Sequence, residues 1–181
     1  MSKTLTICTL LLAAMGAIVI SGAAQEDKSK RPSPPATATC RFGDNKTITV
    51  EYSSPQMKGR KIYGDLVPYD KVWRLGANEA TTFVTDADLI IGGTAVPAGS
   101  YTIFAIPNAD KWELIISKTT GEWGTKYSGE ANDLVRVNMQ VAQLSTSVEN
   151  FTISFERNDS GCIMAVDWDS TRASVKISEK K

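Results

Sequence analysis

A short stretch in the first half of the chain brings together side chains that could bind a small polar molecule. Within eleven positions it places a planar cation, an amide, a carboxylate and two aromatic rings, at Tyr69, Trp73, Arg74, Asn78 and Glu79. An aromatic ring can stack on a sugar, while the charged and amide groups hold its hydroxyls. The alternative is structural, with Arg74 and Glu79 in an ion pair that pins the loop and Trp73 as a core anchor.

A second group of residues could form one wall of such a pocket. Trp123 and Tyr127 follow Gly121 in a stretch where glycines allow close approach of the backbone. Packing of a hairpin under an aromatic ring explains this stretch equally well. The candidate ligand-binding residues are therefore Tyr69, Trp73, Arg74, Asn78, Glu79, Trp123 and Tyr127.

The chain contains no histidine, and this restricts the chemistry open to it. A Ser-His-Asp triad, a Cys-His pair and every histidine-ligated metal site are excluded. Catalysis would have to use carboxylates, lysine, tyrosine or an oxygen-ligated metal. Glu79 is the best carboxylate for such a hydrolase, but the sequence names no second carboxylate to pair with it. We therefore assign no catalytic residue, no metal site and no cofactor, and favour a protein that is not an enzyme.

Two further charged groups favour a structural interpretation. Asp167 and Asp169 flank Trp168, so both point away from its face of the strand. They supply too few oxygens for calcium, which takes about six to eight ligands, and we expect a solvent-facing strand end. The bases at positions 58–61 could meet an anion, but a solvated loop face explains them better.

These side chains lie in a chain whose apolar periodicity is that of β-strands. From Thr39 nearly to the C-terminus apolar and polar residues alternate with a period of two, as in Thr47–Tyr52. The Gly92-Gly93 pair between apolar runs predicts a tight hairpin. Roughly nine or ten strands at short spacing predict one all-β domain over residues 39–178, an antiparallel β-sandwich or jelly roll.

One segment departs from this period. Residues 55–78 mix glycines, prolines, bases and aromatics, which predicts a long excursion from the sheet with one helical turn around Tyr69–Trp73. Long loops inside compact domains are usually functional or disordered, and the aromatic content favours order. The first group of candidate side chains thus lies mainly in an ordered loop on a β scaffold.

The N-terminal residues predict export. One lysine precedes an apolar run that ends in the small residues Ser21–Ala24, as in a signal peptide, and the run is short for a membrane span. We expect residues 1–24 to be cleaved off, the alternative being an uncleaved anchor. A Pro/Ser/Lys-rich linker follows at 25–38, and 179–181 form a tail. The expected location is periplasmic or secreted, with no transmembrane span in the mature chain.

The net charge limits which kinds of partner are expected, and the cysteine content leaves two structural alternatives open. Loss of one lysine from 20 basic and 20 acidic residues leaves 19 and 20. A nearly neutral chain argues against nucleic acid, so the expected partner is a small polar ligand or an envelope protein. Cys40 and Cys162 fall on predicted strands with 121 residues between them. A disulfide and two buried thiols both remain open at this point.

Several stretches of the chain resemble the bacterial secreted family catalogued as domain of unknown function 2911. The stretches that carry the resemblance are KGRKIYG (58–64), LVPYDKVWRLGANEATTF (66–83), PAGSYTIFAIP (97–107), GEWGTKY (121–127), FTISF (151–155) and WDSTRASV (168–175). Asp70 stands where this pattern would have a glycine. The resemblance implies an all-β exported protein and supplies no reaction, substrate or cofactor.

Together these features favour a binding module for a carbohydrate or other small polar ligand. An envelope structural or assembly protein that binds another protein is the first alternative, and a histidine-independent hydrolase that uses carboxylates is the second. A concave pocket would favour the binding module, whereas a large exposed apolar patch would favour assembly.

Overall fold

One antiparallel β-sheet makes up most of the protein, in a computed structural model that describes residues 27–124 and 126–181. The predicted signal peptide, residues 1–24, lies outside the described residues. The nine strands of the described part are β1 (Pro35–Arg41), β2 (Thr47–Ser53), β3 (Thr81–Thr85), β4 (Leu89–Ile91), β5 (Thr94–Val96), β6 (Gly99–Ile106), β7 (Lys111–Ser117), β8 (Asp133–Asn158) and β9 (Gly161–Glu179). Two 3-10 turns, Lys28–Lys30 and Glu130–Asn132, are its helical content. The all-β prediction is confirmed.

The sheet has the strand order β1-β2-β3-β6-β7-β8-β9-β4-β5, and neighbouring strands run antiparallel. The predicted Gly92-Gly93 hairpin joins β4 to β5, with positive φ at both glycines as a tight primed turn requires. β6 lies near the middle of the sheet and is buried on both faces along most of its length. That agrees with the apolar residues on both of its faces in the sequence.

A disulfide shows that the sheet folds over on itself. Cys40 on β1 and Cys162 on β9 are bonded, and their Cα atoms lie 6.6 Å apart. Six strand spacings separate β1 from β9 in the sheet order, which in a flat sheet would be about 29 Å. The two ends of the sheet therefore face each other across a common core, the arrangement expected of a sandwich.

The two longest strands, β8 and β9, pair with each other in an irregular register. β8 runs from Asp133 to Asn158, and its pairing with β9 shifts register between Gln143 and Val148 and again before Thr152. Such irregularities bend a strand without ending it, so β8 continues through its polar middle segment, where Val148 pairs with Asp169 between the two shifts. The first part of β8, as far as Gln140, pairs with β7, and the part from Gln140 onward pairs with β9.

The first strand begins at Pro35, four residues before the expected start of the domain at Thr39. It pairs with β2 from Pro35↔Ser53 to Arg41↔Thr47. The end of the linker therefore belongs to the sheet, because its backbone pairs with β2 and Ala38 is buried in the core.

The excursion predicted for residues 55–78 is present and ordered between β2 and β3, but its predicted helical turn is wrong. The chain makes turns at Tyr69–Lys71, and Trp73 forms a bridge to Ala105 with two backbone hydrogen bonds of 2.8 Å. Asp70 has a φ of 58°, the left-handed conformation that glycine adopts most easily. The turn thus keeps the glycine-type conformation that the family pattern leads one to expect there.

No helix in the described residues is long and apolar enough to cross a membrane.

Candidate functional site

Trp73 is the centre of a buried aromatic cluster beneath the excursion. Its ring stacks on Trp168 with centroids 6.0 Å apart and contacts Tyr63, Trp112 and Phe151 edge to face. Its indole Nε1 donates a hydrogen bond of 3.3 Å to the Gly76 carbonyl. Only 8% of Trp73 is exposed, which confirms that it anchors the core.

The residues after Trp73 hold an unusual backbone conformation. Leu75 and Asn78 have φ values of 52° and 56°, and Gly76 has a φ of 148°. Left-handed backbone is costly for leucine, and it persists here because the loop is bonded from several sides. Thr81 Oγ1 donates to the Leu75 carbonyl at 2.6 Å, and the backbone N–H of Ala77 donates to Ser53.

A cleft of about 270 Å³ opens beside this loop, and we call it the Trp73 cleft. Trp73 and Trp168 contribute to its base, and the excursion supplies most of its walls. Its residues are Ser33, Pro55, Arg60, Leu66, Val67, Pro68, Lys71, Val72, Trp73, Arg74, Gly76, Ala77 and Trp168. The cleft combines apolar walls with three cations, a composition typical of a small-molecule site.

Arg74 is the most unusual polar side chain in this cleft. Its Nε is buried and has no hydrogen-bond partner among the described residues. Burial lowers the pKa of the Arg74 guanidinium, since the charged form is taken out of water.

Glu79 does not pair with Arg74, so the structural ion pair considered from the sequence is wrong. Its carboxylate instead accepts from Arg31 Nη1 at 3.0 and 2.8 Å and contacts Lys28 Nζ at 2.9 Å. Burial alone would raise the pKa of Glu79, but the hydrogen bonds from Lys28 and Arg31 lower it to about 2. The partners come from the segment that precedes β1, which sequence reasoning had placed in a linker.

A second cleft, of about 330 Å³, surrounds Glu79 and is bounded by β1, β2 and the segment before β1. Lys28 and Arg31 line it together with Glu51 and Glu79. Because Lys28 and Arg31 are already bonded to Glu79, this cleft offers less unsatisfied charge to a ligand than the Trp73 cleft does.

Asn78 fastens the same segment to the sheet. Its side-chain amide donates 3.1 Å hydrogen bonds to the Ser33 carbonyl and to Ser53 Oγ. Trp123 lies next to Glu79, with which it forms a backbone bridge, and is 54% exposed. The guanidinium carbon of Arg31 lies 5.8 Å from the centroid of its ring, a cation–π contact.

Tyr127 and Tyr69 lie apart from both clefts. Tyr127 Oη donates to Asp133 at 2.6 Å and accepts from Arg136 at 2.8 Å. Burial and the bond to Asp133 raise the pKa of Tyr127 to about 12. Tyr69 is partly exposed and packs over Gly64.

The structure therefore divides the seven candidate residues into separate groups. Trp73 and Arg74 line the Trp73 cleft, while Glu79, Asn78 and Trp123 surround the segment that precedes β1. Sequence reasoning missed Lys71 and Trp168 as cleft residues, and it interpreted Arg60 as part of a solvated face. Trp168 comes from β9, and nothing in the sequence shows which distant strand will pass beneath the excursion.

The expectation that Asp167 faces solvent at a strand end is wrong. Asp167 is 8% exposed, and its carboxylate accepts from Arg172 Nε and Nη2 at 2.8 and 2.7 Å. Arg172 also bonds to Glu156 on β8. Within residues 27–124 and 126–181 there is no group of three or more acidic, Cys or His residues that could hold a metal ion.

Comparison with known proteins gives a family and no activity. Neither the curated proteins nor the solved structures contain a significant match to this chain. A family model described as "Protein of unknown function (DUF2911)" matches residues 33–177, which include every strand except the last residues of β9. The match covers well over half of the sequence, and the chain therefore belongs to the DUF2911 family.

Proposed function

We propose that this protein is an exported binding module, periplasmic or secreted, that takes a small polar ligand in the Trp73 cleft. The observation that carries the proposal is the buried Nε of Arg74, which has no partner in the described structure, at a cleft of about 270 Å³. Small-molecule sites usually combine apolar walls with a few polar groups, in volumes of about 300–1,000 Å³. At about 270 Å³ this cleft lies just below that range, which favours a small ligand.

Export is supported by the composition of the N-terminus and by the cysteines. An apolar run followed by small residues is typical of a cleavable leader. A disulfide between Cys40 and Cys162 suits an oxidising compartment such as the periplasm.

The geometry favours binding over the other two functions. Four large apolar side chains are exposed among the described residues, and they belong to three separate segments, the excursion, β3 and the chain after β7: Leu66, Tyr69, Val84 and Trp123. A carboxylate such as Glu79, with a pKa of about 2, is ionised at neutral pH and is unsuited to act as a general acid.

A thermal-shift screen of the purified protein against glycans, peptides, small acids and divalent ions tests the proposal. A ligand that binds only the native state stabilises it by about 2.7 kcal/mol at a hundredfold excess over its dissociation constant. Two variants locate the site. Ala77→Leu narrows the Trp73 cleft, and Thr37→Leu makes the same kind of change at the second cleft.

We expect a ligand that stabilises the parent and Thr37→Leu but not Ala77→Leu. A shift lost only in Thr37→Leu would move the site to the second cleft. If no compound raises the unfolding temperature of any of the three proteins, the proposed binding function is wrong, and an envelope assembly protein becomes the favoured function.

A further inference from the structure

We propose that the ligand of the Trp73 cleft is a small organic carboxylate with an apolar body, and that Arg74 binds its carboxylate group. The inference rests on the proposed binding function and names the chemical class of its ligand. It follows from the charges in the cleft, the state of Arg74, the arrangement of Arg60 and the nature of the walls.

The charge of the cleft is of one sign. Arg60, Lys71 and Arg74 line it, and no Asp or Glu is among the described residues that do so. The protein as a whole is nearly neutral, with 20 basic and 20 acidic residues, so this local excess is not a consequence of overall composition. Three cations around one concavity attract an anion and repel a cation.

Arg74 differs from the other partly buried arginines in having no acidic partner. Arg136 binds Asp133 and Glu113, and Arg172 binds Asp167. Arg74 has no ion pair within the described part of the chain, and its Nε is out of contact with water. A partly buried cation without an acidic partner is less favourable than a paired one, and a carboxylate that reaches the Arg74 Nη groups from the cleft would reduce that cost through charge-assisted N–H···O bonds.

Arg60 is already held in place at the same cleft. Its Nε donates to the Met57 carbonyl at 3.0 Å, and Nη2 donates to the Gln56 carbonyl. These bonds restrict its guanidinium before any ligand arrives, which lowers the entropy lost on binding. Lys71 is exposed and adds a third cation.

The walls indicate what the carboxylate is attached to. Leu66, which is 44% exposed, and Pro68 supply the open apolar surface of the cleft, and Val67, Trp73 and Trp168 line it as mostly buried side chains. A bare inorganic anion would leave these surfaces in water, whereas an aliphatic or aromatic group would bury them and gain about 25 cal/mol per Å². The site therefore suits an acid with an apolar body better than free phosphate.

Isothermal titration calorimetry with matched probes tests this assignment. 3-Phenylpropionate carries both the charge and the apolar body, and 3-phenylpropanamide keeps the body without the charge. Acetate and inorganic phosphate carry charge without the body, and glucose carries neither. We expect 3-phenylpropionate to bind at least about tenfold more tightly than any of the other four.

Two variants with the same loss of charge distinguish Arg74 from a general electrostatic effect. Arg74→Met should weaken 3-phenylpropionate at least about tenfold and leave the amide unchanged, because only the acid uses the guanidinium. Arg41→Gln removes one exposed positive charge from β1, away from the cleft, and should leave both affinities unchanged. Without ligand, Arg74→Met should unfold at the same temperature as the parent or a higher one, since a partly buried charge without an ion-pair partner is removed.

The outcomes separate this inference from the function on which it rests. Equal binding of acid and amide, or full affinity in Arg74→Met, would overturn the carboxylate assignment while leaving a ligand site in the cleft. Tighter binding of phosphate than of 3-phenylpropionate would overturn it in favour of an inorganic anion. If Arg74→Met does not fold, Arg74→Lys gives the second measurement, because it keeps the charge but loses the paired donors. Binding of none of the probes would overturn the assignment, and if the screen above also finds no ligand, the binding function fails with it.

Discussion

Single side chains in this protein show how strongly the contribution of a charged group to stability depends on its burial. Asp167 is buried and receives two hydrogen bonds from Arg172, whereas Glu156 binds the same guanidinium from a side chain that is 52% exposed. Water screens the exposed pair and competes for its charges, while the buried pair is protected from both effects. One arginine thus provides an internal comparison of two carboxylates.

Replacement of these two carboxylates should give unequal losses of stability. Asp167→Asn removes the buried charge opposite Arg172 and should lower the free energy of unfolding by about 2 kcal/mol. Glu156→Gln should lower it by less than about 0.5 kcal/mol. Urea denaturation at neutral pH measures both, and equal losses would contradict the difference in burial.

Glu79 should make the stability of the protein depend on pH. Its pKa falls from the ordinary value of 4.5 to about 2 in the folded protein, so its ionised form favours the fold. The contribution is complete above pH 4.5 and is lost as the pH falls through about 2. Because the side chain is one-third exposed, we expect Glu79→Gln to cost only about 1 kcal/mol at pH 7.

Denaturation of the parent and of Glu79→Gln across this range checks the sign. The gap in unfolding free energy between the two proteins should be present at neutral pH and close as the solution is acidified from pH 4.5 towards pH 2. A gap that widens on acidification would mean that Glu79 is not stabilised as a carboxylate by Lys28 and Arg31.

At the scale of elements, the loop from Arg74 to Glu79 connects the aromatic core to the proposed site. Its backbone departs from ordinary conformations at Leu75, Gly76 and Asn78. Strained backbone is retained only where surrounding contacts determine it, and such segments are concentrated at functional sites. Here the loop aligns Trp73 inside the core and Arg74 in the cleft, so a change in its backbone should affect both.

Gly76→Ala should therefore be strongly destabilising. A Cβ at this position would lie 2.8 Å from the Ser53 carbonyl oxygen, at a φ of 148° that side chains rarely adopt. We expect a loss of at least about 2 kcal/mol in the free energy of unfolding. Gly43→Ala is the matched control, because no atom lies within 4 Å of its Cβ, and it should change stability by less than about 0.5 kcal/mol.

For the whole molecule, the disulfide determines how the two ends of the sheet are joined. It links β1 to β9 and closes a loop over a sequence separation of 122. A cross-link between positions so far apart lowers the conformational entropy of the unfolded chain. In the chain-entropy model this stabilises the folded protein by about 4 kcal/mol. Much of the stability of the folded-over sheet is therefore expected to come from this one bond.

Substitution of the cysteines should reveal that contribution. Cys40→Ala, Cys162→Ala and the double variant should each lose about 4 kcal/mol, because opening the bond from either side has the same effect. Urea denaturation with and without reductant gives the measurement, and reductant should weaken the parent alone. Two free thiols detected by mass spectrometry in the protein purified from an oxidising compartment would contradict the bond.

The sequence by itself determined the local features of this protein. Period-two alternation predicted the all-β fold, and the glycine pair predicted the β4–β5 hairpin, because both depend on neighbours in the chain. Residues 55–78 were recognised as an ordered excursion from their mixed composition. The family was indicated by motifs such as the run from Trp73 to Glu79.

Only the tertiary structure decided which of those residues meet. Glu79 pairs with Lys28 and Arg31 rather than with Arg74, and Trp168 joins Trp73 in one cleft. Both results depend on which distant segments the folded-over sheet brings together, and residue types do not encode that choice in a local pattern. The same physical reason explains why the sequence did not show that Arg74 lacks an acidic partner among the described residues. Whether an arginine is paired or left for a ligand is a matter of which carboxylates lie within about 4 Å, and that is set by the whole fold.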